Sequence, residues 1–171
     1  MSDSKTPRGA IVTDTSCLIN LLHLHYSMER DLIPKLSLLF ATIHIPKYVW
    51  KEFGRKMDPP EVQNVMRDYP FLKLCNVGSE TDAKLLYDKR LSPKAPIDRG
   101  EAEAIVQARE LGVSEVLIDE RKGRRIAESH SLSVRGVLGL LTELKRNGVV
   151  REVKPLIEEL VREKAFRIAA K

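Results

Sequence analysis

The order of apolar runs along the chain predicts an α/β protein, a three-layer αβα arrangement with a central, mainly parallel sheet. Short β-rich runs such as AIVTD, ATIHI and SEVLID alternate with longer stretches of helical periodicity. Each strand-like run is separated from the next by a helix-length segment, which suits parallel pairing through crossovers and a sheet covered on both faces. The chain has 171 residues, 43% hydrophobic and 31% charged, and a chain of this size buries about 68–70% of its unfolded surface around one core.

AIVTD reads as the first strand, after which Thr15 or Ser16 offers a hydroxyl cap to an apolar helix through CLINLLHL. Leu32, Leu36, Leu39 and Phe40 mark a second helix. ATIHI is a strand closed by Pro46, a favourable first residue for the helix KYVWKEFGRK. PPEVQNVMRDY reads as helix, FLKLCNV as strand and SETDAKLLYDK as helix, before LSPKAP interrupts the pattern. RGEAEAIVQAREL is a helix that ends at Gly112, and SEVLID is the next buried strand. A short basic helix, RKGRRIAESH, leads to a brief strand at LSVR and to the helix GVLGLLTELKRNG. Leu156, Ile157, Leu160 and Val161 then fall at helical spacing, giving a C-terminal packing helix over 153–165 of a single domain spanning 1–171. There is no internal repeat and no low-complexity tract.

A formal charge of +5 and a pI near 9.2 favour an anionic partner such as nucleic acid. With aromatic residues at 5%, recognition by stacking bases over a broad platform is disfavoured, and backbone contacts should dominate. Cys17 and Cys75 form no CxxC pair, in a chain too large to need a disulfide staple, so a reducing cytoplasmic setting is expected. The N-terminus MSDSKTPRG is polar, and no run approaches the ~18 apolar residues of a membrane span, so neither a signal peptide nor membrane insertion is expected.

In a sheet of this kind ligands bind beyond the carboxyl ends of the strands, where strand order reverses. Asp14 and Asp119 both end strands and would meet if those strands are neighbours. Glu101 shares the stripe of Ile105 and Ala108, and Glu52 follows Val49 by three residues beside Phe53, so both face inward. Glu103, Gln107 and Glu110 fall on another face and read as solvent contacts. Each acid taken alone also has a structural explanation. Asp14 could cap the first helix and Asp119 the basic helix, Asp98 with Glu101 has capping-box spacing, and Glu52 could bridge to a Lys or Arg. Those explanations do not predict all four acids at inner or strand-end positions together. Two carboxylates about 4 Å apart repel by roughly 4 kcal/mol at an effective dielectric near 20, so gathering them calls for a cation. Oxygen ligands without accompanying His or Cys suit Mg²⁺ or Mn²⁺ rather than zinc. His23 and His25 lie two apart on a helix and point in different directions, while His44 and His130 read as surface or strand-end residues.

The stretches IVTDTSCLINL, PKYVWKEF, DRGEAEAIVQA and VLIDERKGRRIA, in this order and spacing, resemble the PIN domains, metal-dependent nucleases that include the VapC-type toxins of bacteria and archaea. The resemblance covers nearly the whole chain, and DRGEAEAI and GRRIA are most similar to a small prokaryotic subgroup. It implies catalytic and metal-holding roles for Asp14, Glu52, Glu101 and Asp119, with Asp98 substituting for or assisting Glu101. Ser16 matches a hydroxyl that helps position the attacking water. Arg124 and Arg125 would touch the nucleic-acid backbone, joined by Arg121 and Lys122, although the latter pair reads slightly better as a solvated basic face. Two positions depart from the pattern: Glu120 stands where close relatives tend to carry a second Asp, and Val137 where they often carry Thr.

The implied activity is Mg²⁺- or Mn²⁺-dependent hydrolysis of single-stranded RNA, leaving a 5′-phosphate and a 3′-hydroxyl, by the toxin of a type II toxin–antitoxin pair. A cognate antitoxin and a homodimer paired through helices would be its protein partners. Two other readings compete. One is a non-catalytic nucleic-acid-binding or RNA-processing assembly module that keeps the fold without productive metal geometry. The other is a phosphatase forming an aspartyl phosphate at Asp14, which is disfavoured because the usual companion acid two residues on is Ser16.

Overall fold

A computed structural model of the chain describes residues 8–28, 31–56, 59–93 and 96–162. Five strands, β1 (Arg8–Thr13), β2 (Phe40–Pro46), β3 (Leu72–Cys75), β4 (Glu115–Leu117) and β5 (Ser133–Arg135), form one sheet in the order β3-β2-β1-β4-β5. Every neighbouring pair is parallel, as the helix-length connections require. The first helices are α1 (Thr15–Ser27), α2 (Leu32–Leu36), α3 (Lys47–Lys56), α4 (Pro59–Asp68) and α5 (Glu80–Tyr87). They are followed by α6 (Arg99–Leu111), α7 (Arg121–Ser129), α8 (Val137–Arg146) and α9 (Lys154–Arg162). The C-terminal packing helix is thus present to Arg162, and residues 163–165 of the expected span lie outside the described residues.

Strand alternation sorts side chains into two cores, one on each face. Ile11, Ile43, Ile45 and Leu117 point to the layer of α1, α8 and α9, where Leu22, Leu140 and Leu160 close over them. Val12, Val116 and Ile118 point the other way, against Ala104, Ile105 and Ala108 of α6 and Ala127 of α7. The register Val12↔Val116 makes β1 and β4 immediate neighbours. Because β1 also pairs with β2 on its other side, the junction of β1 and β4 is the point where strand order reverses. Removing a side chain from either core, as in Ile105→Ala, would cost about 2–5 kcal/mol.

Two expectations need correction here. Phe40 does not extend the second helix: α2 stops at Leu36, a turn follows in which Leu39 N–H donates to Leu36 O at 2.9 Å, and Phe40 opens β2. The sheet claims this stretch because Arg8 N–H donates to Leu39 O at 2.8 Å as soon as the turn ends. Glu103 and Gln107 are not solvent contacts, since residues 100–108 of α6 are all buried. This helix packs against α3 and α5 as well as the sheet, so it has no broad polar face. Among the described residues no helix is long and apolar enough to cross a membrane.

Candidate active site

At the end of β1 the backbone N–H of Asp14 donates to Leu117 O at 3.1 Å, tying the first acid to the end of β4. Asp14, not Thr15 or Ser16, caps α1: its Oδ1 accepts from Cys17 N–H at 2.8 Å. Capping uses one carboxylate oxygen and leaves the other for a second task. Asp14 is 2% exposed, and its pKa is pushed up to about 7, first by burial and further by the nearby charges of Asp119 and Glu52.

Asp119 lies two residues beyond β4. It does not cap the basic helix, whose N-cap position is Glu120; its Oδ1 accepts from Val137 N–H at 2.8 Å and so fixes the start of α8. The side chain of Val137 therefore has no part in this contact, and the backbone position alone serves. The other oxygen, Oδ2, is buried without a hydrogen-bond partner. Burial raises the Asp119 pKa, while the Val137 bond and the Arg124 charge pull against that rise.

Glu101, on the first turn of α6, is 5% exposed, and its Oε2 accepts from Asp98 N–H at 3.1 Å. That contact is the half of a capping box which the Asp-x-x-Glu spacing implied. Burial pushes the Glu101 pKa up to about 8, with repulsion from Asp14, Glu120 and Asp98 adding to it. Glu52 completes the expected set from α3. Its Oε2 accepts from the Thr15 hydroxyl at 2.7 Å and its Oε1 pairs with Lys56 at 2.9 Å. Burial alone would raise Glu52, but the bonds from Thr15 and Lys56 and the positive charges of Lys56 and Arg55 hold it below the ordinary range.

The acids are thus brought to one end of the sheet, but the tightest grouping is not the expected four. Asp98, Glu101 and Glu120 each offer an oxygen, all within 4.8 Å of one another. Glu101 belongs to both sets, since it also feels the charge of Asp14. Sequence reasoning left Glu120 without a role; the signal available was a second carboxylate directly after a strand-end acid. It named Thr15 only as a helix cap, whereas Thr15 is buried against Glu52; Ser16 is exposed.

Three glycines make room for these carboxylates. A Cβ at Gly123 would overlap the Glu101 carboxylate, one at Gly136 would lie 2.6 Å from Asp119 Oδ1, and one at Gly100 would lie 2.6 Å from Thr15 Oγ1. The basic residues of α7 divide in two. Lys122 Nζ donates to Pro96 O at 2.5 Å and Arg124 Nη1 to Ile118 O at 3.2 Å, whereas Arg121 and Arg125 are exposed.

The donors fit a hard divalent cation. They are oxygens, one is buried and orphaned at Asp119 Oδ2, and neither Asp14 nor Glu101 has an ion pair among the described residues. Asp14, Asp119, Glu101 and Glu52, with Asp98 and Glu120 beside them, are the residues that would hold such an ion.

A five-stranded parallel sheet with helices on both faces, carrying acids beyond its central strands, is a three-layer α/β fold. The profile of a family described as a PIN domain matches residues 10–171, and the chain belongs to that family. No curated protein matches the chain in sequence. Membership brings the expectation of nucleic acid as the ligand, in keeping with the +5 charge.

Proposed function

We propose that the protein is a divalent-cation-dependent endoribonuclease that hydrolyses phosphodiester bonds of single-stranded RNA in the cytoplasm, and that its residues 1–171 act as one nuclease domain. The observation that carries this reading is the pair of buried acids without counter-ions, Asp14 and Glu101, whose pKa values are pushed up to about 7 and 8. Such a cluster is electrostatically unfavourable as it stands and becomes favourable when Mg²⁺ or Mn²⁺ joins it. When bound, the ion supplies Lewis acidity and lowers the pKa of a water.

The protein's own groups do the rest. Asp14 and Asp119 present one oxygen each while the other fixes a helix start, so their orientation is set before any ligand arrives. Thr15 and Lys56 hold Glu52 ionised, and Asp98 N–H holds Glu101. In this reading Ser16, exposed and next to Asp14 in the chain, steers a water toward the phosphorus, and the exposed Arg121 and Arg125 face the strand. Within this reading the protein is the toxin of a type II pair, restrained by an antitoxin and paired with a second copy through its helices. Co-purification with the product of the adjacent gene tests that part.

The direct test is cleavage of single-stranded RNA with Mn²⁺ or Mg²⁺, in chelator, and with Asp119→Asn. Cleavage that needs the ion and disappears in the variant is the expected result; cleavage that survives chelator and variant refutes the assignment. A non-catalytic RNA-binding module is the second reading, favoured by Arg124, whose charge already offsets part of the Asp119 burden from inside the protein. RNA binding without cleavage under every ion condition would establish it.

A further inference from the structure

Away from the acids, α3, α5 and α6 enclose an open cavity of about 410 Å³. Its walls carry Lys47, Lys51, Arg55 and Arg99 against two acids, Glu80 and Glu103. Glu103 is already matched by Arg99 at 2.9 Å, which leaves three cations facing Glu80. Lys47, Lys51 and Arg55 are exposed and make no ion pair among the described residues. They recur every four residues along one face of α3, a rise of about 6 Å per step, comparable with the distance between successive phosphates of a nucleic-acid strand.

We infer that this cavity is the track along which the backbone of a single-stranded RNA approaches the acids, with Lys47, Lys51 and Arg55 each meeting a phosphate. The cavity and the candidate active site share two helices. Glu52 follows Lys51 on α3, and Arg99 follows Asp98 at the start of α6. Arg55 is close enough to Glu52 for its charge to help keep that carboxylate ionised. The aromatic wall does not offer a stacking face: Arg99 lies over the Tyr48 ring at 4.3 Å and near Tyr87 at 5.4 Å, so the cavity recognises charge rather than bases. Helix α7, the more basic stretch in the sequence, offers fewer free cations, because Lys122 and Arg124 are occupied by Pro96 O and Ile118 O and leave Arg121 and Arg125 exposed.

The proposal rests on the ribonuclease reading for the direction of the strand, and its test is built to fail separately. Binding of a short fluorescein-labelled single-stranded RNA is followed by anisotropy in chelator, across a salt series. The proteins compared are wild type, Lys51→Glu with Arg55→Glu, and Arg121→Glu with Arg125→Glu. Both pairs lie on exposed helix faces, and thermal melting verifies that each variant folds. The α3 pair should weaken binding by about tenfold or more at low salt and lower the slope of log Kd against log salt by about 1.4, or about 0.7 per lost phosphate contact.

Unchanged RNA affinity in the α3 pair overturns the inference, as does a loss confined to the α7 pair. Unchanged RNA affinity with lost binding of poly-glutamate also overturns it, in favour of an acidic protein partner. Wild-type protein that binds RNA through α3 yet cuts nothing with Mn²⁺ removes the nuclease reading and leaves the track standing.

Discussion

Where α9 packs on α1, Glu159 is 7% exposed, with Arg162 at 2.6 Å and His23 at 3.0 Å; these contacts, Arg162 foremost, hold its carboxyl below the ordinary range. Where β1 meets α6, Asp14 and Glu101 are 2% and 5% exposed, have no cation beside them among the described residues, and are pushed up to about 7 and 8. Exposure is similarly small in the two places, but burial dominates at Asp14 and Glu101, whereas at Glu159 the Arg162 contact outweighs it. The α9 acid works as a joint between two helices and is complete as built. Asp14 and Glu101 at the sheet end have no such partner among the described residues, a pattern more usual at a binding site than at a structural contact.

The strongest way to break this contrast is Asp14→Asn. Asparagine keeps the cap on Cys17 N–H but removes the charge, so cleavage should fall by about 10²–10³-fold, the scale for losing one charged or polar group at a reacting centre. In chelator near pH 8 the same variant should melt higher than wild type, because raising a carboxyl from 3.8 to about 7 corresponds to a burden of a few kcal/mol. An Asp14→Asn protein that melts lower in chelator would contradict the account.

Gly123→Ala probes the same acids through packing. The added methyl group overlaps the Glu101 carboxylate and must displace it, so ion affinity and cleavage should drop about 10–100-fold, the range for disturbing groups that orient metal ligands. Isothermal titration with Mn²⁺ measures the first and RNA cleavage the second.

The pH dependence sharpens the contrast by its sign. Asp14 and Glu101 keep their protons in the folded protein after the unfolded chain has released them, so the cation-free protein loses stability as pH rises from about 4 through about 8 and then levels. Glu159, held low, works in the opposite direction: its contribution is present above the ordinary carboxyl value and fades only on acidification. Melting curves over this range, with and without Mn²⁺, should show the decline in chelator and its removal by the ion. The smallest effect is expected for Glu159→Gln, which should lower Tm slightly near neutrality and leave RNA cleavage unchanged.

The alternation of strands and helices was legible in the sequence because periodicity and helix stops report burial directly, as at Val12 and Ile11 on opposite faces and at Gly112, which ends α6 with φ of 64°. The meeting of Asp14 with Asp119 was legible as well, since both end strands of a sheet whose order reverses between them. What the sequence concealed is contact made across the fold. Nothing local reveals that Glu103 is buried, because its burial comes from α3, whose Tyr48 N–H donates to it at 3.3 Å. Nor does the spacing show that Asp119 holds Val137 N–H rather than its own following helix, or that Glu120 turns toward Asp98 and Glu101.

The pairing of β1 with β4 joins Val12 to Val116, so the two halves of the cluster are made far apart in time as well as in sequence. During synthesis β1 can dock on β2 early, but its other edge waits, bare, for a strand that emerges much later. A nascent polypeptide halted before that strand carries Asp14 and Glu52 and lacks Asp119. The acids contributed by β1 and by the end of β4 therefore come together only once the later strand has docked on the earlier one.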